Sequence, residues 1–287
     1  MATTIYDAFN QFRSNLEITS LQESTTSTRQ QNVREAVEAD FSVQESFLAG
    51  SYRRHTMIAP LNAADIDVFV VLHPKYHAPL GQRDLLSALM TTLKKKYPRT
   101  PKIKPDGQAV TITFTDFEVD VVPGFYQVGG GFLIPDAGLN RWIATDPKRH
   151  VEMWSIVNKG HNGMMVPLIK MMKCWNRQQR YPLRSFHLEV MVMHVLQGIV
   201  ITDYPSGVRW AFDKMRGAIR ARIADPAGYS DDIAPGLSPM DRERLARRLD
   251  AAFNTAMQAE SNAQYGNVKT SMDFWRSLFG DFFPAYG

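Results

Sequence analysis

The sequence predicts an α+β protein in two parts. Residues 1–150 read as a mixed module of strands and helices, and residues 151–287 as a helical one. Two observations lead there. Branched and aromatic residues alternate with polar ones in the first half, over 65–72 and 109–123. Beyond about residue 150, apolar residues recur at helical spacing in segments broken by Pro and Gly. Strands gathered in one half and helices in the other suit an α/β module followed by a helical lobe.

Taken in order, Ile5, Phe9, Phe12 and Leu16 define an amphipathic helix over 3–18. A second helix is expected over about 25–40, opened by Ser and Thr that cap well. Phe41–Ala49 leads as a short strand into a Gly50-Ser51 turn, followed by a short helix ending before Pro60. Asp65-Ile66-Asp67-Val68-Phe69-Val70-Val71-Leu72 is a strand stopped by Pro74. Arg83–Tyr97 is a helix with Leu85, Leu86, Leu89 and Leu93 inward, and Lys94–Lys96 in its last turn complement the helix dipole. Residues 109–123 form a hairpin whose alternation changes phase near Thr115-Asp116. Gly129–Gly131 is a flexible turn without the Lys-Ser/Thr ending of a phosphate-binding P-loop. Phe132–His150 reads as loop, and helices follow over 151–159, 164–180, 186–201, 208–223, 240–260 and 271–279.

Composition narrows the class. The 44% apolar and 22% charged residues of this 287-residue chain can bury a sizeable core. A single cysteine, Cys174, excludes an internal disulfide and a cysteine-based zinc site, which suits a reducing compartment. The first residues lack the basic start and apolar core of a signal peptide, and no apolar run has the length of a membrane span. A cytoplasmic location without a membrane partner is therefore expected. A net charge of +4 suits anions, nucleotides as well as long nucleic acid.

The chemistry centres on three aspartates. Strand side chains alternate faces, so Asp65 and Asp67 leave the backbone on one side. In Phe117-Glu118-Val119-Asp120-Val121-Val122 the apolar residues share one face, which sends Glu118 and Asp120 to the other. Mg²⁺ takes oxygen ligands, commonly a few carboxylates plus substrate phosphates. Three carboxylates on adjacent strands can hold two such ions, as in two-metal phosphoryl transfer. Gly50 lets backbone approach a phosphate, and the Ser51 hydroxyl can donate to it.

The ordered set Gly50-Ser51, Asp65-Ile66-Asp67 and Glu118-Val119-Asp120-Val121-Val122-Pro123 resembles the nucleotidyltransferase core of the DNA polymerase β superfamily. More narrowly it resembles the bacterial CD-NTases, relatives of cGAS and oligoadenylate synthase. Trp142–Pro147 with His150, Leu168–Trp175 and Leu183–Val190 resemble that family's entry into a helical domain, its lysine-bearing helix and its segment over the donor nucleotide. The resemblance implies a polymerase β-like mixed sheet and a C-terminal helical domain closing a nucleotide pocket. It also implies Asp65, Asp67 and Asp120 as ligands of two Mg²⁺ ions, with Mn²⁺ as a substitute. Asp120 would help activate the attacking hydroxyl. Gly50, Ser51, Lys173 and Ser185 would hold phosphates, with Lys170 a weaker candidate, and Phe186 would stack on a base. The implied reaction joins nucleoside triphosphates, releases pyrophosphate and cyclises the product into a di- or trinucleotide messenger of CBASS antiphage defence, which a downstream effector reads. Two alternatives stay open: transfer to an RNA, protein or small-molecule acceptor, and a non-catalytic nucleic-acid sensor of the same fold. No zinc-binding insertion is visible, so activation by nucleic acid is not expected. Asp281–Gly287 reads as a mobile tail, and Gly287 as a handle for an E1/E2-like ligase.

Overall fold

In the computed structural model, residues 2–60, 65–180 and 182–287 are described, with backbone alone for 20–22. They divide into two compact units, 18–152 and 1–17 together with 153–287.

The first unit is a seven-stranded mixed sheet. Its strands are β1 (Val43–Leu48), β2 (Asp65–Leu72), β3 (Ile103–Asp106), β4 (Ala109–Thr113), β5 (Glu118–Tyr126), β6 (Phe132–Asp136) and β7 (Arg141–Thr145). The main path runs β1-β2-β5-β4-β3, and β6 pairs with both β5 and β7. Among the described strands of this sheet, β2 and β5 run parallel and the other pairs are antiparallel.

Period-two patterning decides what each face does. Ile66, Val68, Val70 and Leu72 of β2 and Val119, Val121 and Phe125 of β5 point to one side. There they meet Val33, Ala36 and Val37 of α2 (Ser20–Glu38) and Leu85, Leu86, Leu89 and Leu93 of α4 (Gln82–Lys96). Each such side chain contributes about 1.5–3 kcal/mol on leaving water. The opposite face begins acidic, with Asp65, Asp67, Glu118 and Asp120, and then turns apolar. Phe69 and Val71 gather there with Phe132 and Ile134 of β6. The buried cluster fixes the strand register, and the register in turn fixes where the carboxylates stand.

The sequence reading of 132–150 as loop is corrected. Residues 132–145 form the β6–β7 hairpin, in which Phe132 pairs with Thr145 and Ile134 with Ile143. Pro135, which argued against a strand, lies opposite Trp142, and Phe132 packs on Phe69 with ring centroids 4.9 Å apart. Tertiary packing outweighs the local signal.

The second unit holds α1 (Ile5–Asn15) and α6–α10: Met165–Gln178, Ser185–Val195, Tyr204–Ala218, Pro239–Gln264 and Val268–Phe279. Helix α5 (Pro147–Gly160) carries the chain from one unit to the other. The expected domain of residues 1–150 kept the N-terminal helices together, whereas α1 groups with the helical unit. The cause is aromatic: Phe9 meets Trp275 and Phe283 edge-on at 5.1 Å each, and Phe12 lies 4.5 Å from Phe279. The expected mobile tail is likewise docked. Phe283 is fully buried, Arg276 donates to its carbonyl at 2.8 Å, and Gly287 N–H donates to Ala2 O at 3.2 Å. Among the described residues, no helix is long and apolar enough to cross a membrane.

Candidate active site

Parallel pairing of β2 with β5 sets Asp65 opposite Glu118 and Asp67 opposite Asp120. On the other flank of β5, Thr111 of β4 pairs with Asp120, and its hydroxyl donates to Asp120 Oδ1 at 2.6 Å. The acidic side chains therefore share one face at one end of the two strands. Burial pushes the Asp120 carboxyl up to about 6 from 3.8. The Thr111 hydrogen bond pulls the other way, and the negative charge of Asp65 adds to the rise. Asp65 is exposed and Asp67 half-buried. Thr111 is a site residue that sequence reasoning missed. Its signal lay in the alternation of 110–114, which put threonine on the same face as the aspartates once the strands were paired.

Gly50 and Ser51 open a four-residue helix, α3 (Gly50–Arg53), directly after β1. Ala49 N–H donates to Asp67 O at 2.8 Å, which ties the turn to the second aspartate. Gly50 has φ +59°, and a Cβ there would stand 1.7 Å from Asp67 Oδ2. The position needs glycine for its conformation and for the approach of the carboxylate. The Ser51 carbonyl accepts from Thr56 N–H and Met57 N–H at 2.9 and 3.2 Å, so the turn is braced from behind.

The carboxylates suit a hard cation. Asp65 and Asp120 repel one another, a cation relieves that repulsion, and all the donors are oxygens. Among the described residues, no three acidic, histidine or cysteine side chains are gathered closely enough to hold an ion by themselves. Mg²⁺ keeps several waters and takes one or two carboxylates plus substrate phosphates.

The helical unit presents the other predicted residues. Lys173 on α6 is buried, and its ammonium donates to Glu189 of α7 at 3.2 Å. Lys170, one turn earlier, is ion-paired with Glu17 at 2.6 Å. Ser185 is the first residue of α7 and is exposed. Phe186 follows it, half-buried, stacked on Trp154 with centroids 5.9 Å apart and planes 16° apart. Trp154 Nε1 donates to Glu189 at 2.9 Å. Glu189, which sequence reasoning left as an unremarked helix residue, thus accepts from both Lys173 and Trp154, and Phe186 stacks on that indole.

The profile of the Second Messenger Oligonucleotide or Dinucleotide Synthetase domain matches residues 2–158, more than half of the chain and all of its sheet. The chain belongs to this family. The synthetase is 29% identical over 254 residues to the cyclic AMP-AMP-AMP synthase of an Acinetobacter species, covering 83% of this chain and 72% of that one. Among solved structures it is similar to Escherichia coli CdnC with ATP, at TM-score 0.74, 19% identity and 98% and 99% coverage of the two chains. It is similar as well to the Bradyrhizobium diazoefficiens CD-NTase CdnG in complex with GTP, at TM-score 0.76, 13% identity and 96% and 95% coverage. The CdnC protein also has a structure in complex with HORMA-deltaN. The fold is the polymerase β-like nucleotidyltransferase fold, a mixed sheet with a C-terminal helical lobe. The synthetase is a nucleotidyltransferase that makes a cyclic oligonucleotide second messenger in CBASS defence. Its family is generally metal-dependent.

Proposed function

We propose that Asp65, Asp67 and Asp120 hold two Mg²⁺ ions, with Mn²⁺ able to replace them, and that Asp120 takes the proton of the attacking hydroxyl. The observation that carries this reading is the β2–β5 register, with Asp67 opposite Asp120 and Asp65 two residues before it on the same face. Bound there, the ions would neutralise the pyrophosphate leaving group and lower the pKa of the attacking hydroxyl. Burial raises the Asp120 carboxyl in the metal-free chain, and cations bound beside it would favour its ionised form, the form that can accept a proton. In each step a hydroxyl oxygen of one nucleotide bonds to the α-phosphorus of another, the bond from that phosphorus to pyrophosphate breaks, and the proton passes to Asp120. Repeating the step within the linear product closes the ring.

Gly50 admits backbone close to the phosphates, and the Ser51 hydroxyl donates to them. Lys173 and Ser185 add phosphate contacts, and Phe186 stacks on a base. The name of the Acinetobacter relative makes an all-adenosine cyclic trinucleotide the first product to look for. The test incubates the purified protein with all four nucleoside triphosphates and Mg²⁺ and identifies products by mass spectrometry. A cyclic oligonucleotide that disappears with Asp65→Asn or Asp67→Asn supports the reading. A product formed only when RNA, protein or a small-molecule acceptor is added overturns it.

A further inference from the structure

Glu189 is fully buried one turn into α7, yet it carries a charge and no role follows for it from the metal-site chemistry. Its two oxygens are divided. Oε1 accepts from Lys173 Nζ at 3.2 Å, and Oε2 accepts from Trp154 Nε1 at 2.9 Å. Trp154 in turn stacks on Phe186. One carboxylate therefore braces the ammonium proposed to meet phosphate and, through the indole, the ring proposed to meet a base. Burial makes this brace stiff, because an ion pair away from water is held by geometry rather than screened.

We propose that Glu189 is a positioning residue for the donor nucleotide, holding Lys173 and the Trp154–Phe186 stack in one arrangement. This rests on the assignment of Lys173 and Phe186 to nucleotide binding. Glu189 touches no reacting atom. It acts by holding Lys173 in one direction and by fixing the indole face on which Phe186 lies. A ground-state role of this kind appears in KM for the nucleotide more than in kcat.

The test compares Glu189→Gln, Glu189→Asp, Lys173→Met and the Glu189→Gln/Lys173→Met double variant of the full chain, measuring KM and kcat for ATP together with thermal unfolding. Gln keeps an acceptor for Trp154 and removes the charge that holds Lys173. The expected result is KM raised about tenfold by Glu189→Gln with kcat little changed, and a double variant no worse than Lys173→Met alone. Glu189→Asp, which keeps the charge, should recover part of the loss. Losses in the double variant that multiply, or an unchanged KM in Glu189→Gln beside a raised one in Lys173→Met, overturn the proposal. An unchanged KM in Lys173→Met overturns the Lys173 assignment itself and the proposal with it. Should Glu189→Gln fail to fold, Glu189→Asp carries the test: a falling melting temperature with KM unchanged assigns Glu189 to packing alone and overturns the positioning role.

Discussion

Asp120→Asn should make the metal-free protein more stable while destroying its activity. The wild-type carboxyl titrates near 6 in the folded state against 3.8 ordinarily, chiefly because it is buried. A shift of about two units corresponds to about 3 kcal/mol. The sign follows from which form folding favours. The raised pKa means the folded state prefers the protonated acid, so the favourable contribution is complete below about 3.8 and lost as pH rises through about 6. At pH 8 the wild type therefore bears the cost of a buried carboxylate that Asn does not. Asn Oδ1 can still accept the hydroxyl hydrogen bond that Thr111 gives to Asp120. Urea unfolding in EDTA between pH 4.5 and 8 measures the difference. The variant should exceed the wild type by about 3 kcal/mol at pH 8, with the gap closing toward pH 4.5. Mg²⁺ should stabilise the wild type and leave the variant nearly unmoved. Stability curves that run parallel across this range would refute the reasoning, since they would mean that Asp120 pays no folding penalty for its charge.

Other perturbations follow from the same geometry. Asp65→Asn and Asp67→Asn should each lower product formation by about 10³ or more in the mass-spectrometric assay, with circular dichroism unchanged. Gly50→Ala forces φ +59° on a residue with a Cβ and drives that atom into Asp67 Oδ2, so synthesis should fall severely and stability by about 1–3 kcal/mol. Phe283→Ala removes a fully buried ring from the cluster of Phe9, Phe12 and Phe279 and should cost about 3–5 kcal/mol in chemical unfolding.

The legible part of the site was the part written in short periods. Asp65 and Asp67 sit two apart at the head of an apolar strand, and Glu118 and Asp120 alternate with Val119 and Val121. Period two put them on one face before any pairing was known. The missing step was register. Nothing local says that Asp67 stands opposite Asp120, because that follows from a parallel pairing across 52 intervening residues. The β6–β7 hairpin was hidden for a related reason. Pro135, Gly138 and the short runs between them read as loop, and only packing of Phe132 and Ile134 on Phe69 makes strands of them. The placement of α1 is a third instance: its apolar stripe was plain, but Trp275, Phe279 and Phe283, which cover that stripe, lie more than 250 residues away.

The resemblance assigned Lys173, with Lys170 as the weaker candidate, to the phosphates, and both are ion-paired in the fold. The two pairs differ in setting. Glu17 is half-exposed although Lys170 is itself buried, so if the pair opens the carboxylate is left in water. Glu189 is wholly buried, and removing Lys173 from it would leave an uncompensated charge in the interior. A phosphate that recruits Lys173 must therefore share the ammonium with Glu189 rather than take it away, whereas one that recruits Lys170 leaves behind a carboxylate that water can solvate. That difference favours Lys173 as a pre-set contact and Lys170 as an adaptable one. Lys170→Met should consequently raise KM for ATP less than Lys173→Met does, and the reverse order would place the phosphate contact at Lys170.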